Sequence, residues 1–257
     1  HGVRPLALDS GRVRSFAFQY SPPTRFGEAY REELAQSPNV TTYLGANAVE
    51  LETPSPPGRV SAVRVACLTG AGFRVAARDV VLAAGGIENA RLLLLSDRVQ
   101  SHGLGNAHDL VGRYFMEHLY MDAAATVRSR NGSISPFYTA GDHVDGVRVR
   151  GILGLEPDVR REEGLTNYCA VLSEPHAGPL GRLLGELANM AGRPRPFLAK
   201  HVMEQVPNAE SRVTLGTDQD RLGCRRAVLR WQTSSLDKRT AHRAHASSAK
   251  RLERARA

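Results

Sequence analysis

The sequence predicts a mixed α/β fold of α+β character, and three observations carry that expectation. A fully apolar run, Val80 to Ala84, ends in Gly85-Gly86 and leads into helix formers from Ile87 to Leu95. Before it, short strand-forming segments alternate with turn signals. After it, polar–apolar alternation recurs over residues 119–175 and again over 211–231. The central stretch is the most informative. An apolar run of strand length reads as a strand buried on both faces of a parallel sheet. Paired glycines permit backbone angles or a close approach that a Cβ forbids. A helix starting there with Glu88 in its first turn aims free N–H groups at the crevice where open α/β sheets hold nucleotides. The plainer alternative is that the glycines only let the helix pack close on its own sheet.

In chain order, Pro22-Pro23 marks a loop, and Glu28 to Gln36 reads as a short helix with Tyr30 and Leu34 at i, i+4. Ser37-Pro38-Asn39 stops it, because the residue before proline avoids the helical region. Strand formers from Val40 to Leu51 flank Gly45, and Thr53-Pro54-Ser55-Pro56-Pro57-Gly58 is a strong turn. Val63-Arg64-Val65-Ala66-Cys67 alternates as a half-buried strand does, and Phe73-Arg74-Val75 begins a third. Together these predict a β-meander feeding the Val80–Ala84 strand. Residues 176–200 form a loop punctuated by glycine and proline around an amphipathic segment, Leu180 to Met190. Ser211–Leu215 and Ala227–Trp231 read as strands joined by the polar Gly216–Gly223 turn. Ser234 or Ser235 caps a last helix. No internal repeat is evident.

Composition bounds the function classes. A chain of 257 residues holds one large domain or two modest ones and is long enough to bury roughly 70–75% of its unfolded surface. With 42% apolar and 23% charged residues it resembles ordinary globular proteins. No apolar run approaches the ~20 residues of a membrane span. The net charge of +8 comes from scattered arginines, commonly beside Asp or Glu, which favours a solvated surface over a nucleic-acid binder. Cys67, Cys169 and Cys224 are odd in number and far apart. They support neither a disulfide framework nor a zinc knuckle, and no metal site is expected. The first residue is His1, so the expectation is that a beginning is missing, any signal peptide with it. Cytoplasmic and periplasmic locations both stay open.

No complete GxGxxG occurs; Gly103-Leu104-Gly105 lacks the third glycine. Several separated stretches nevertheless share one pattern. They are Ser21-Pro22-Pro23-Thr24-Arg25-Phe26-Gly27-Glu28-Ala29-Tyr30-Arg31; Ser37-Pro38-Asn39-Val40; Val80 through Ser96; and Gly105-Asn106 with Asp109 to His118. Glu204 to Asn208 with Ser211 to Leu215, then Trp231 with Asp237-Lys238-Arg239, complete it. In order and spacing these resemble the glucose–methanol–choline (GMC) oxidoreductases, FAD-dependent oxidisers of alcohols, polyols and sugars, closest to a bacterial branch with sugar and polyol dehydrogenases. The resemblance spans about Phe16 to Arg243.

The resemblance implies an internal fragment. The family's N-terminal strand–GxGxxG–helix would precede His1. Its catalytic His, in a His-x-x-Gly-Thr context, has no counterpart here, because His242 and His245 are followed by Ala-Ser-Ser-Ala-Lys-Arg. No catalytic residue is therefore assigned, and the isolated chain is expected to be inactive. The two histidines read as a solvated helix face.

The implied division is a lead-in over 1–36, a partial FAD-binding, Rossmann-like domain over 37–100, and an antiparallel-sheet substrate domain over 101–257 with an atypical tail, 246–257. Ala48, Ala84, Gly85, Gly86, Glu88, Asn89 and Arg91 are the FAD-contact candidates. Arg91 reads equally as an ion-pair residue. Asn106 and His118 are the substrate-proximal candidates, with a buried structural role the alternative for His118. Glu204 and Arg212 are expected to pair. The implied partners are a small alcohol or sugar and an electron-acceptor subunit. A non-catalytic flavin-fold remnant is the competing reading, and a basic nucleic-acid binder a lesser one.

Overall fold

The computed structural model describes residues 6, 11–55, 58–128, 134–139, 141–173 and 196–252. They form an α+β fold in which every sheet is antiparallel. The chain divides into two compact units, neither of them continuous in sequence.

The first unit takes residues 1–24, 117–206 and 233–257. Its sheet contains β1 (Val13–Gln19), β5 (Leu119–Arg128), β6 (Asp142–Val144), β7 (Val147–Leu155), β8 (Tyr168–Ser173) and β9 (Pro196–Met203). The order is β1-β7-β8-β9-β5, with β6 on β7. Alternate residues share a face, and one face carries the core: Leu153, Leu155, Ala170, Leu172, Ala199 and Met203 are all buried. Ahead of β6 in the chain lies α4 (Pro136–Thr139), whose Tyr138 is completely buried and donates to Ser15 Oγ at 2.6 Å.

Two more helices belong to this unit, α5 (Pro157–Glu163) and α6 (Ser235–Leu252). Ser234 starts α6 with a reciprocal cap: its Oγ accepts the Asp237 N–H at 3.1 Å, and Asp237 accepts the Ser234 N–H at 2.6 Å. Asp237 also accepts the Val206 N–H at 2.8 Å. The buried stripe Asp237, Thr240 and Ala244 follows the helical period and faces the core.

The second unit takes residues 25–116 and 207–232. The expected meander is present as β2 (Ala46–Glu52), β3 (Ala62–Cys67) and β4 (Gly72–Ala76). The expected hairpin is β10 (Arg212–Gln219) with β11 (Arg225–Arg230), longer than the sequence pattern indicates and with a tighter turn. Helix α3 (Gly86–Leu95) packs on β2, β10 and β11, burying Ala90 and Leu92. Ser96 closes its end: the hydroxyl donates to Leu92 O at 2.7 Å and accepts the Leu51 N–H at 2.9 Å.

Three expectations are corrected. Val80–Ala84 is not a buried parallel strand; it pairs with no strand among the described residues, and Val81 is 86% exposed. A continuous apolar run signals two-sided burial only where strands flank it, and the meander ends at Ala76 without reaching the run. The helix expected over Glu28–Gln36 is two short pieces, α1 (Phe26–Ala29) and α2 (Arg31–Gln36), broken at Tyr30 with no residue buried to hold them together. The unit boundaries differ from those read off the sequence, because 101–116 and 207–232 join the meander. Helix α6 runs through Ala246 to Leu252, so that part of the tail continues a regular element. The segment Leu180–Met190 lies outside the described residues.

Candidate functional site

The bend after Val80–Ala84 is built by Gly85 and one side chain. Gly85 adopts φ 89°, ψ 164°, a conformation that L side chains rarely reach. The Asn89 carboxamide then clips the incoming loop, accepting the Ala84 N–H at 2.9 Å and donating to Leu82 O at 3.2 Å. Ala84, Gly85 and Gly86 are all exposed, and a Cβ added at either glycine would meet nothing within 4 Å. The main chain at the start of α3 is therefore open to approach by a ligand. Ala48, also exposed, sits in β2 opposite Val65, next to a register shift between Ala48 and Glu50.

Arg91 is committed elsewhere. Its guanidinium donates to Asp220 at 2.6 Å, to Glu88 at 3.2 Å and to the Arg225 carbonyl at 2.8 Å, tying α3 to the β10–β11 hairpin. Burial opposes its charge, but the bonds to Asp220 and Glu88 outweigh that cost and hold the guanidinium above its ordinary value. The Arg91 bond, reinforced by N–H groups of Cys224 and Leu222, holds the Asp220 carboxyl below the usual range against a smaller desolvation effect. Glu88 and Arg91 border a hollow of about 450 Å³ with Leu68, Asp220 and Arg226. Both of its carboxylates are taken by Arg91.

Asn106 is buried and does for its loop what Asn89 does for the bend. It donates to His102 O at 2.8 Å and accepts the Val111 N–H at 2.9 Å. It borders a hollow of about 220 Å³ with Asp97, His102, Asp109, Arg212 and Arg225. There Asp109 takes Arg212 at 2.7 Å and also pairs with Arg113. Hydrogen bonds from Arg212 and then Arg113 hold its carboxyl far below the usual carboxylate range.

His118, in the other unit, is not buried. Its side chain is 61% exposed, with Nδ1 3.7 Å from Glu117. A hollow of about 850 Å³ in that unit, bordered by Tyr20, Pro22, Pro23, His143 and Arg148, holds none of the candidate residues. Glu204 and Arg212, expected to pair, fall in different units, and each has a partner in its own: Glu204 accepts from Asn167 Nδ2 at 2.8 Å, and Arg212 takes Asp109. The cysteines are free and half-buried, and burial pushes the Cys169 and Cys224 thiols up.

Sequence reasoning thus locates the open bend but not the partners that its neighbours take. It overlooks Asp109, Asp220 and Ser96, whose roles depend on partners distant in sequence. It also places His245 on a solvated face, whereas its Nδ1 is buried. The spacing Asp237, Ala241, His245 was the available signal, since i, i+4, i+8 is one helix face. Among the described residues no group of three or more His, Cys, Asp or Glu is gathered as a metal would require, and no helix is long and apolar enough to cross a membrane. No protein-family model matches the chain, and no curated protein does.

Proposed function

We propose that the chain is part of an FAD-dependent oxidoreductase of the GMC type, which oxidises CH–OH groups of alcohols, polyols or sugars. The observation that carries this reading is the bare main chain at Ala84-Gly85-Gly86, an exposed loop turning into a helix with nothing within 4 Å of where a Cβ on either glycine would stand. A Cβ at Gly85 or Gly86 would stand in that open space, so the glycines fit a dinucleotide lying against the backbone. Ala48, small and exposed on the meander, fits a close approach by an adenosine moiety. Asn89 and Arg91 are positioning residues, the first holding the bend and the second anchoring the helix.

When bound, the flavin supplies the hydride acceptor. This chain contributes part of the nucleotide cradle and an antiparallel sheet. It carries no assigned base, so oxidation by the chain alone is not expected. Two measurements test the reading. The reading frame extended in both directions is expected to encode GxGxxG upstream and His-x-x-Gly-Thr downstream; intact flanking sequence without either would sink the assignment. The protein from the extended frame is expected to purify with flavin absorbance near 450 nm. Gly86→Val is expected to weaken FAD binding at least tenfold while leaving the circular dichroism unchanged. Unaltered affinity in that variant would remove the bend from the site.

A further inference from the structure

Away from the bend, the first unit encloses two histidines with no counter-charge. His201 lies in β9 with no exposed surface. Its Nδ1 is 3.2 Å from the Tyr168 hydroxyl, and its Nε2 has no hydrogen-bond partner among the described residues. The His245 ring from α6 lies 5.3 Å away, centroid to centroid, with 43° between the planes. Its Nδ1 is likewise buried without a partner. The pair thus sits at the seam where α6 packs on β9, beside Ala244 and on the sheet face that carries Met203.

The surrounding charges are all directed elsewhere. On β9, Lys200 alternates to the opposite face and pairs with Asp122 of β5 at 3.0 Å. Met121 of β5 and Ala170 of β8 stand opposite His201 and carry no charge. Tyr168 of β8 is the polar group at the ring, and Cys169 alternates away. On α6, Asp237 is held by the N–H groups of Val206 and Ser234, while Lys238, Arg239, His242 and Arg243 are exposed. Glu163 of α5 is shared between Arg12 and Arg243. No carboxylate is hydrogen bonded to either imidazole among the described residues, so a cation formed on the fully buried His201 ring would have neither water nor an anion.

We propose that His201, packed against the His245 ring, forms an acid-released latch, seating α6 on the sheet while the His201 ring is neutral and freeing it when that ring is protonated. Desolvation first, and His245 second, push His201 from the ordinary 6.5 down to about 4. The sign follows. Below pH 6.5 the released state binds a proton that the docked state refuses, so docking weakens as pH falls and recovers as it rises. With those values the docking constant falls roughly tenfold per pH unit between about 6.5 and 4.

The test is amide hydrogen exchange of the full chain from pH 7.5 to 4.5, corrected for intrinsic rates, alongside an NMR titration of the histidine rings. Protection of 238–247 is expected to fall with that slope while the β7–β8 ladder keeps its protection. His201→Gln is expected to flatten the profile, and His245→Ala to raise the His201 midpoint. The same acid loss in His201→Gln, or a flat wild-type profile, would overturn the latch. Should His201→Gln fail to fold, a wild-type His201 titrating near 6.5 with no change in α6 signals would overturn it equally.

Discussion

Gly112 shows how much one position can decide. It stands at φ +84°, its carbonyl accepts the Val213 N–H at 2.8 Å, and an added Cβ would collide with the Val213 carbonyl. Gly112→Ala therefore combines positive-φ strain with a backbone displacement that no rotamer change relieves. A loss of roughly 2–4 kcal/mol in urea unfolding is expected; a change within about 0.5 kcal/mol, the range of an ordinary surface substitution, would show that the loop simply moves. The glycine itself is legible in the sequence, but its reason is not, because Val213 lies far along the chain. Arg91 makes the same point for charge. The sequence offers Glu88 one helical turn away, yet the shorter bond goes to Asp220 of the hairpin turn. Asn89 and Asn106 read as ligand-facing amides, and each instead satisfies backbone groups of its own loop.

At the scale of elements, legibility follows how local the determinants are. Turns rich in proline and glycine punctuate β2, β3 and β4, and alternation fixes which face is buried, so the meander is read correctly. The start of α3 is set by Gly85-Gly86, and the start of α6 by Ser234 with Asp237 three residues on. That cap predicts a measurable effect. Ser234→Ala is expected to cost about 1 kcal/mol, detectable as reduced protection of the first turn of α6. Unchanged protection there would assign the start of the helix to Asp237 and Val206 alone. Val80–Ala84 fails for the opposite reason. Its composition suits a central strand, but being central is a property of its neighbours, which periodicity does not encode.

For the whole molecule, the units interleave. Val13 pairs with Leu155 in one, and Gly112 meets Val213 in the other, so each is closed by segments from both halves of the sequence. Division into consecutive blocks could not recover that, since no local pattern announces a return to a distant partner. The fold class, an α+β arrangement, was still accessible because it depends on element types and not on their pairing. The exposed ribbon Val80–Ala84 has one more consequence. Uncharged, β-branched at two positions and free of proline, it has the composition of a segment through which exposed chains associate. The purified chain is expected to self-associate with rising concentration. Val81→Lys, a gatekeeper charge on an 86% exposed position, is expected to keep light scattering at the monomer value where the parent sequence climbs. Equal scattering from both would locate the sticky surface elsewhere.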